Sequence, residues 1–451
     1  MDLIDFDRSI LSDVWTSPAL WDSLSYLCDV CNGRLSGTDD ERRAGDFLVE
    51  KFKEIGLRNV HAEVFEIPGW VRGETRLTVL DDNGPHDLFV MAMVGSPAGE
   101  CEAEVIDLDG GKDADFDRLS SKIAGNIILT GPDGPHRLEK YIKAQSLGAA
   151  AILIAQGQPG MAISAGSLGL RSIEPTMPIL SLAHEATVYL RRQLKKGHVK
   201  ARLVFNGGRQ PGTARNICAE LPGNSPEQGW IIACGHYDGH DIGQAAQDNA
   251  TGTAVLLESA RLLAPLQKEL KAGIKFVLFA GEEEGIYGSP AYVNAHPDDW
   301  DSIRMVFNAD IVGCASPLVL KTQDSPELAA MLKQLPLADL GAVLDDSEFI
   351  NNSDHFSFSA VGISSLWAVT SSAPAGNYWV HSSADTLDKL DLSSIREAAA
   401  TTARVLLRMA LEPEKLPQTR RSPEEMKKVI VAKGWEKLLQ MQKRCPYPSP
   451  S

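Results

Sequence analysis

The chain has 451 residues, of which 43% are hydrophobic, and its formal net charge is −16. This length exceeds what a single hydrophobic core usually serves, so we expect two domains. The acidic balance, without a long cationic face in the body of the chain, argues against nucleic-acid binding, and no run approaches the ~18–20 apolar residues of a membrane span.

The beginning of the chain and its cysteines indicate a compartment. Residues 1–7 are acidic and lack the cationic and apolar regions of a secretory signal. The seven cysteines are odd in number and scattered, which is typical of free thiols in a reducing environment. We therefore expect a cytoplasmic protein with no membrane partner.

Residues 1–98 combine a helix with strands. Thr38 and Glu41 stand at capping-box spacing ahead of apolar residues that recur with helical periodicity, and Gly56 ends this pattern. Strand-like runs follow at residues 60–66 and 75–94. We expect this segment to add a helix and edge strands to a larger domain.

Residues 99–206 have a pattern of their own. Strand-like runs at residues 104–108, 126–130 and 149–155 alternate with helical segments, and a loop rich in glycine and serine follows at residues 157–172. This order predicts a small α/β unit that is inserted into the larger domain.

Residues 207–414 alternate between apolar strands and helices. The strand-like runs lie at residues 216–220, 230–234, 274–280, 305–308, 317–321 and 364–369. Such alternation predicts an α/β fold, in which helices cover both faces of a mostly parallel, twisted sheet as a three-layer α/β/α domain. With residues 1–98 this segment would form one discontinuous domain.

Residues 415–451 form a basic tail with nine Lys/Arg and three Asp/Glu. Ser422 and Glu425 have capping-box spacing, Pro423 suits the first helical position, and apolar residues such as Met426 and Ile430 follow. We predict a helix packed on the acidic body, and a docking tail for another protein is the alternative.

Five clusters in residues 235–381 carry side chains that bind metals. They are Gly-His-Tyr-Asp at 235–238, Asp-Asn-Ala-Thr-Gly at 248–252, Glu-Glu-Glu-Gly at 282–285, Asn-Ala-Asp at 308–310, and His381. Three of them follow strand-like runs, and ligand crevices form at the carboxyl ends of strands in open α/β sheets. Singly, each cluster has a structural alternative such as a helix cap or a surface pair, so the prediction rests on the set.

The spacing of these residues suggests roles in a two-metal site. His236 could bind a metal while Asp238 accepts the proton of its other ring nitrogen. Asp248 could bridge two ions ~3.5–4 Å apart through its two oxygens. Of the adjacent Glu282 and Glu283, one becomes a ligand and the other a general base, although Glu284 leaves this assignment open on chemistry alone.

Asp310 and His381 complete the expected ligand set, whereas His240 and Asp241 are assigned to the rim. The three carboxylates Asp248, Glu283 and Asp310, with a bridging hydroxide, would neutralise two divalent ions. Imidazole and carboxylate ligands suit zinc, and cobalt or manganese could substitute because no thiolate takes part. The chain has no Gly-x-Ser-x-Gly elbow that would indicate a serine nucleophile.

In order and type, the five clusters resemble those of the co-catalytic di-zinc aminopeptidase family, which includes glutamate carboxypeptidase and carboxypeptidase Q. The resemblance implies that Glu282 is the catalytic base and that Asp238 supports the catalytic centre behind the ligand His236 without binding an ion. His236 and Asp310 would bind one zinc ion, Glu283 and His381 the other, and Asp248 both. It also implies a cis peptide bond between Asp248 and Asn249 and a protease-associated (PA) domain at residues 99–206.

The resemblance further implies a metal-dependent exopeptidase with two zinc ions. It would hydrolyse the first peptide bond of dipeptides or short peptides with a free N-terminus, through the bridging hydroxide. Family members often dimerise, which suggests a homodimer. The alternatives are a glutaminyl-peptide cyclase and a non-catalytic receptor, both on the same fold.

Overall fold

A computed structural model of the chain describes residues 3–81, 84–157, 159–160, 163–346, 348–370 and 379–447. Its strands are β1 (Arg58–Val71), β2 (Thr75–Asp81), β3 (Gly84–Leu88), β4 (Val90–Ala92), β5 (Gly99–Asp107), β6 (Ile127–Thr130), β7 (Ala151–Ala155), β8 (Ile179–Leu182), β9 (Lys200–Phe205), β10 (Gly208–Leu221), β11 (Trp230–His236), β12 (Gly273–Phe279), β13 (Ile303–Ala309), β14 (Leu318–Lys321), β15 (Ala342–Asp345) and β16 (Ser365–Thr370). They form two sheets of eight strands each.

The α-helices cover these sheets and form the tail. They are α1 (Leu3–Thr16), α2 (Ala19–Ser25), α3 (Asp39–Ile55), α4 (Asp113–Arg118), α5 (Arg137–Ser146), α6 (His184–Leu194), α7 (Thr251–Leu263), α8 (Gly288–Ala295), α9 (Pro326–Leu332), α10 (Leu337–Leu340), α11 (His355–Ala360), α12 (Leu392–Leu411), α13 (Pro423–Ala432) and α14 (Glu436–Met441). Across the described residues, no helix has both the length and the apolar character that a bilayer span requires.

The first sheet has the order β1-β10-β12-β11-β13-β16-β14-β15. Its central strands β12, β11, β13 and β16 are parallel, while β1 and β10 are antiparallel additions at one edge. Alternate residues of β12 face opposite layers: Phe276 packs in the core beneath α3, α7 and α12, and Val277 packs with residues of α8 and α11. Burial on both faces confirms the expected three-layer α/β/α domain.

The second sheet has the order β3-β2-β9-β5-β6-β7-β8-β4. Strands β5 to β8 are parallel neighbours, with α5 packed on one face and α6 on the other. The sheet includes β2, β3 and β4, so its strands begin at Thr75 rather than near the expected boundary at residue 99. An alternating pattern predicts a strand but not the strand with which it pairs, so the sequence could not assign β2, β3 and β4 to the second sheet. The likeness of this unit to a PA domain stays a prediction.

The basic tail packs on the body of the protein, as expected. Ser422 and Glu425 form the capping box that begins α13, and Met426 and Ile430 are buried against Phe349 and Phe356. The following helix, α14, reaches the second sheet unit, because the backbone amides of residues 171 and 172 donate to the carbonyl of residue 441 at 3.1 and 3.0 Å. The tail therefore contacts both sheet units.

Candidate metal centre

Three parallel strands deliver the predicted side chains to one edge of the first sheet. His236 is the last residue of β11, Asp310 follows β13 directly, and Glu283 follows β12 after a turn at Gly281, whose φ is +75°. Asp248 precedes α7 and His381 lies in the loop before α12. The carboxyl ends of parallel strands share one edge, so the expected convergence occurs here.

The first group of ligands consists of His236, Asp248 and Asp310. Nε2 of His236 lies 3.1 Å from Oδ1 of Asp248 and 3.5 Å from Oδ1 of Asp310. All three side chains are buried. One imidazole nitrogen and two carboxylate oxygens at these separations suit the ligand sphere of a divalent ion.

The second group shares Asp248 with the first. Nε2 of His381 lies 3.0 Å from Oδ2 of Asp248 and 3.1 Å from Oε2 of Glu283. Asp248 thus directs one oxygen to each group. This is the arrangement that a bridging carboxylate between two ions requires.

His240 joins the second group, although the sequence analysis placed it on the rim. Its Nε2 lies 3.0 Å from Oε2 of Glu283, its ring packs edge-on against His381 with centroids 4.9 Å apart, and it is only 3% exposed. His240 lies in a loop without periodic pattern, so nothing local in the sequence distinguishes it from its neighbour Asp241. That neighbour instead pairs with Arg72 at 2.7 Å.

Unpartnered buried atoms show that the two groups fit cations. Oδ1 of Asp310 and Oε1 of Glu283 are buried without a hydrogen bond within the part of the chain that the structure describes. Buried carboxylate oxygens without donors are costly, and a cation at each group would compensate them. Two divalent ions together with a bridging hydroxide would also balance the three carboxylates of the site.

The three consecutive glutamates at residues 282–284 lie in different environments. Glu284 turns away from the ligands, and its Oε1 accepts a hydrogen bond from the amide of Ser36 at 2.9 Å. Glu282 lines the same cavity as Glu283 and His381. Burial raises the pKa of Glu282, and neighbouring carboxylates including Glu283 act in the same direction, while His236 lowers it. A carboxylate with a raised pKa beside a metal site suits a general base.

Asp238 contacts more than its expected partner. Its Oδ1 lies 3.5 Å from Nδ1 of His236, which agrees with the expected support of that ring. The same carboxylate also accepts hydrogen bonds from the backbone amides of Glu282 and Glu283, at 3.3 and 3.2 Å. Asp238 therefore fixes the turn after β12 that carries the two glutamates, a contact that residue spacing does not reveal.

The loop that carries Asp248 is held by two buried charged residues. Oδ1 and Oδ2 of Asp385 accept from the amides of Gln247 and Asp248, at 2.7 and 3.1 Å, and burial raises the pKa of Asp385 to about 7. Arg34 donates to the carbonyls of Tyr237, Gln244 and Ala245, each at 2.8 Å. The expected cis peptide bond between Asp248 and Asn249 is confirmed.

A cavity of about 640 Å³ opens over the second ligand group. Its lining also includes Arg137 at the start of α5 and Arg444 of the tail. Arg444 donates to the carbonyl of Asn351 at 2.7 Å, and its burial lowers the pKa to about 10. Burial also lowers the pKa of Arg137, although Glu283 and Glu282 raise it. The lining of the cavity thus combines metal-binding side chains with two guanidinium groups.

Comparison with known proteins assigns a family to this site. A sequence model described as "Peptidase family M28" matches residues 216–406, which contain all the predicted ligands. Residues 216–406 are therefore similar to peptidase family M28. Carboxypeptidase Q of Mus musculus is 26% identical over 426 residues, which cover 88% of this chain and 87% of the mouse protein. Aminopeptidase YwaD of Bacillus subtilis is 25% identical over 417 residues, with 88% and 86% covered.

Solved structures share the fold of this chain. An aminopeptidase from Aneurinibacillus sp. strain AM-1 superposes with a TM-score of 0.69 at 23% identity, over 92% of this chain and 97% of that one. A peptidase M28 precursor from Shewanella amazonensis SB2B gives a TM-score of 0.77 at 20% identity, over 90% and 96%. BSAP, a zinc aminopeptidase from Bacillus subtilis, gives 0.68 at 22% identity, over 90% and 96%. The likeness extends over both sheet units.

Proposed function

We propose that this chain is an exopeptidase that uses two zinc ions to hydrolyse the N-terminal peptide bond of dipeptides and short peptides. The observation that carries the proposal is the position of Asp248, whose two oxygens approach His236 and His381 separately. Zinc is favoured by the imidazole and carboxylate ligands and by the likeness to enzymes such as the zinc aminopeptidase of Bacillus subtilis.

The ligands divide between the two ions. His236 and Asp310 would hold one ion, and Glu283 and His381 the other, with Asp248 on both. His240 would add a ligand to the second ion, because its Nε2 approaches the same Glu283 oxygen as His381 does. When bound, the two ions would lower the pKa of a water between them and polarise the scissile carbonyl.

The protein's own groups would move the proton and hold the substrate. Glu282 would take the proton of the attacking water and deliver it to the leaving amine. Asp238 would keep Glu282 and Glu283 in place through their backbone amides. The walls of the cavity would enclose a short substrate and exclude bulk water from the reacting bond.

The guanidinium groups of the cavity indicate which short peptides fit. Among the described residues, neither Arg137 nor Arg444 hydrogen-bonds a carboxylate: Arg137 donates to the carbonyl of Ser167, and Arg444 to Asn351 and Gln442. A planar guanidinium binds a carboxylate through paired hydrogen bonds. A short peptide whose amino end lies at the metals could therefore bind these guanidinium groups through a carboxylate.

A panel of substrates tests the proposal. Metal-depleted protein and zinc-restored protein would be assayed on dipeptides, aminoacyl amides, N-acetylated dipeptides and N-terminal glutaminyl peptides. We expect zinc to restore cleavage of substrates with a free amino group and not of the acetylated ones. Ring closure of the glutaminyl peptides without cleavage of dipeptides would instead support the cyclase alternative. No turnover of any substrate by protein with both ions bound would support the receptor.

A further inference from the structure

A second cluster of metal-binding side chains lies on the β1–β10 edge of the first sheet, apart from the peptidase ligands. His61 and Glu63 are alternate residues of β1 and project to the same face, and Cys218 of β10 stands directly opposite His61 in the strand register. One donor atom of each of the three lies within 4.8 Å of the others. They line a cavity of about 320 Å³, and among the residues that the structure describes none lines both this cavity and the cavity over Glu282.

The hydrogen bonds of His61 prepare its ring to bind a cation. Its Nδ1 lies 2.7 Å from the carbonyl oxygen of Asn59, so Nδ1 carries a proton and donates it. In the neutral ring Nε2 is then an acceptor, yet it faces Oε1 of Glu63, another acceptor, at 3.1 Å. A backbone carbonyl on one imidazole nitrogen is the usual support for a metal on the other. A cation beside Nε2 and Oε1 removes the conflict between the two acceptors.

His296 supplies a further donor from the end of α8. Its Nε2 lies 2.9 Å from the same Oε1 of Glu63, and its ring packs on Tyr292 with centroids 4.6 Å apart. Two imidazoles thus converge on one carboxylate oxygen. The thiol of Cys218 is buried below them, whereas the side chains of His61 and His296 are 40% and 33% exposed. The imidazoles of the cluster are therefore accessible to solvent, whereas its thiol is not.

The charge and softness of these groups match zinc. A thiolate and a carboxylate balance one divalent ion, and thiolate, imidazole and carboxylate are the donor types that zinc accepts in tetrahedral sites. The surroundings add a net negative charge. Two carboxylates, Glu220 and Asp299, line the same cavity, and a single ammonium group, that of Lys275, pairs with both, at 3.8 and 3.0 Å.

We propose that His61, Glu63 and Cys218, with His296 as a fourth donor, bind a divalent transition-metal ion such as zinc. This site is separate from the peptidase centre and does not depend on the proposed exopeptidase activity. Its position on paired strands at the sheet edge indicates that the ion cross-links β1, β10 and the end of α8.

Cobalt substitution tests the proposal, because the peptidase ligands include no thiolate. Metal-depleted full-length protein would be titrated with Co²⁺ while the near-ultraviolet absorption is recorded. We expect a thiolate-to-cobalt charge-transfer band that is complete once three equivalents of Co²⁺ are bound, because the peptidase centre takes the other two ions without contributing to the band. Cys218→Ser should abolish this band, whereas Cys101→Ser, which changes a half-buried thiol of the second sheet, should retain it.

Two further variants separate this site from the peptidase centre. His61→Gln should lower the affinity for the ion that gives the band by about tenfold or more. Asp248→Asn should leave the band unchanged and lower the affinity for the two ions of the peptidase centre. The two variants test the site even if Cys218→Ser does not fold. Absence of the band at saturating cobalt, or its persistence in Cys218→Ser, would overturn the proposal and leave the peptidase centre unaffected.

Discussion

At the scale of single residues, Glu282 and Glu284 allow a matched comparison. Both are glutamates of one turn, but only Glu282 lines the cavity with the ligands, while Glu284 accepts from Ser36. Glu282→Gln removes the proton carrier without removing a ligand, so we expect kcat for a dipeptide to fall by about 10²–10⁴-fold with metal content unchanged. Glu284→Gln should change kcat only a few-fold. Equal losses in the two variants would contradict the role of Glu282.

His240 should affect the affinity for one ion rather than both. It approaches Glu283 and His381 but takes no part in the group of His236 and Asp310. We expect His240→Ala to lower the affinity for the second ion by about tenfold or more and to leave the affinity for the first ion nearly unchanged. Zinc competition with a chelator would measure this, with Cys218→Ser as background so that only the peptidase ions titrate. Equal weakening of both ions, or of neither, would show that His240 is not a ligand.

At the scale of elements, the buried Arg34 holds the loop between β11 and α7. Its guanidinium donates to the carbonyls of Tyr237, Gln244 and Ala245, and its side chain is fully buried. Arg34→Met leaves these carbonyls without donors, so we expect a loss of about 2–4 kcal/mol in the free energy of unfolding and weaker zinc binding.

The control for this prediction is Arg42→Met in α3. Arg42 is half-exposed and pairs with Asp39 on the surface, so its loss should change the free energy of unfolding by less than about 0.5 kcal/mol. Urea denaturation of metal-depleted protein measures both variants. If the two variants unfold at the same urea concentration as the unchanged protein, the loop does not depend on Arg34.

The elements also show what the sequence could predict. His236, Glu283 and Asp310 follow apolar strands, and parallel strands must end together, so local patterns were sufficient to place them at one site. The helix bounds of α3 follow likewise from periodicity and caps. His240 was assigned wrongly because its position depends on the path of an irregular loop. The pairing of β2 to β4 with the second sheet depends on long-range contacts that no local pattern encodes.

At the scale of the whole molecule, the cavity depends on segments far apart in the chain. Arg137 comes from the second sheet unit and Arg444 from the tail, about 300 residues later. The tail was expected to pack on the body, and it does, but its contribution to the cavity could not be predicted from composition. From the sequence, the positive charge of the tail indicates only an exposed surface, whereas the fold brings Arg444 into the lining of the same cavity as Glu282.

This arrangement predicts a preference for substrates with a carboxylate. A free dipeptide should be cleaved with a higher kcat/KM than its amide. Arg444→Gln and Arg137→Gln should each lower kcat/KM for the free dipeptide by about 10–100-fold, mainly through KM, because each removes a charge-assisted hydrogen bond. Cleavage of the amide should change little.

Matched controls are available for both arginines. Lys443→Gln removes the neighbouring exposed charge of the tail, and Lys143→Gln removes a charge on α5 that pairs with Asp113 outside the cavity. Neither should alter the ratio between free dipeptide and amide. A dipeptide whose second residue is glutamate amide distinguishes recognition of the chain end from recognition of a side-chain carboxylate. Equal losses for dipeptide and amide in the arginine variants would contradict this preference.

The central claim is that Asp248 lies between two metal ions, and anomalous diffraction tests it most directly. Crystals of metal-depleted protein restored with zinc would be measured on both sides of the zinc absorption edge. We predict two anomalous peaks flanking Asp248, one beside His236 and Asp310 and the other beside Glu283 and His381. A single peak there, or none at full zinc saturation, would contradict a two-metal mechanism for this chain.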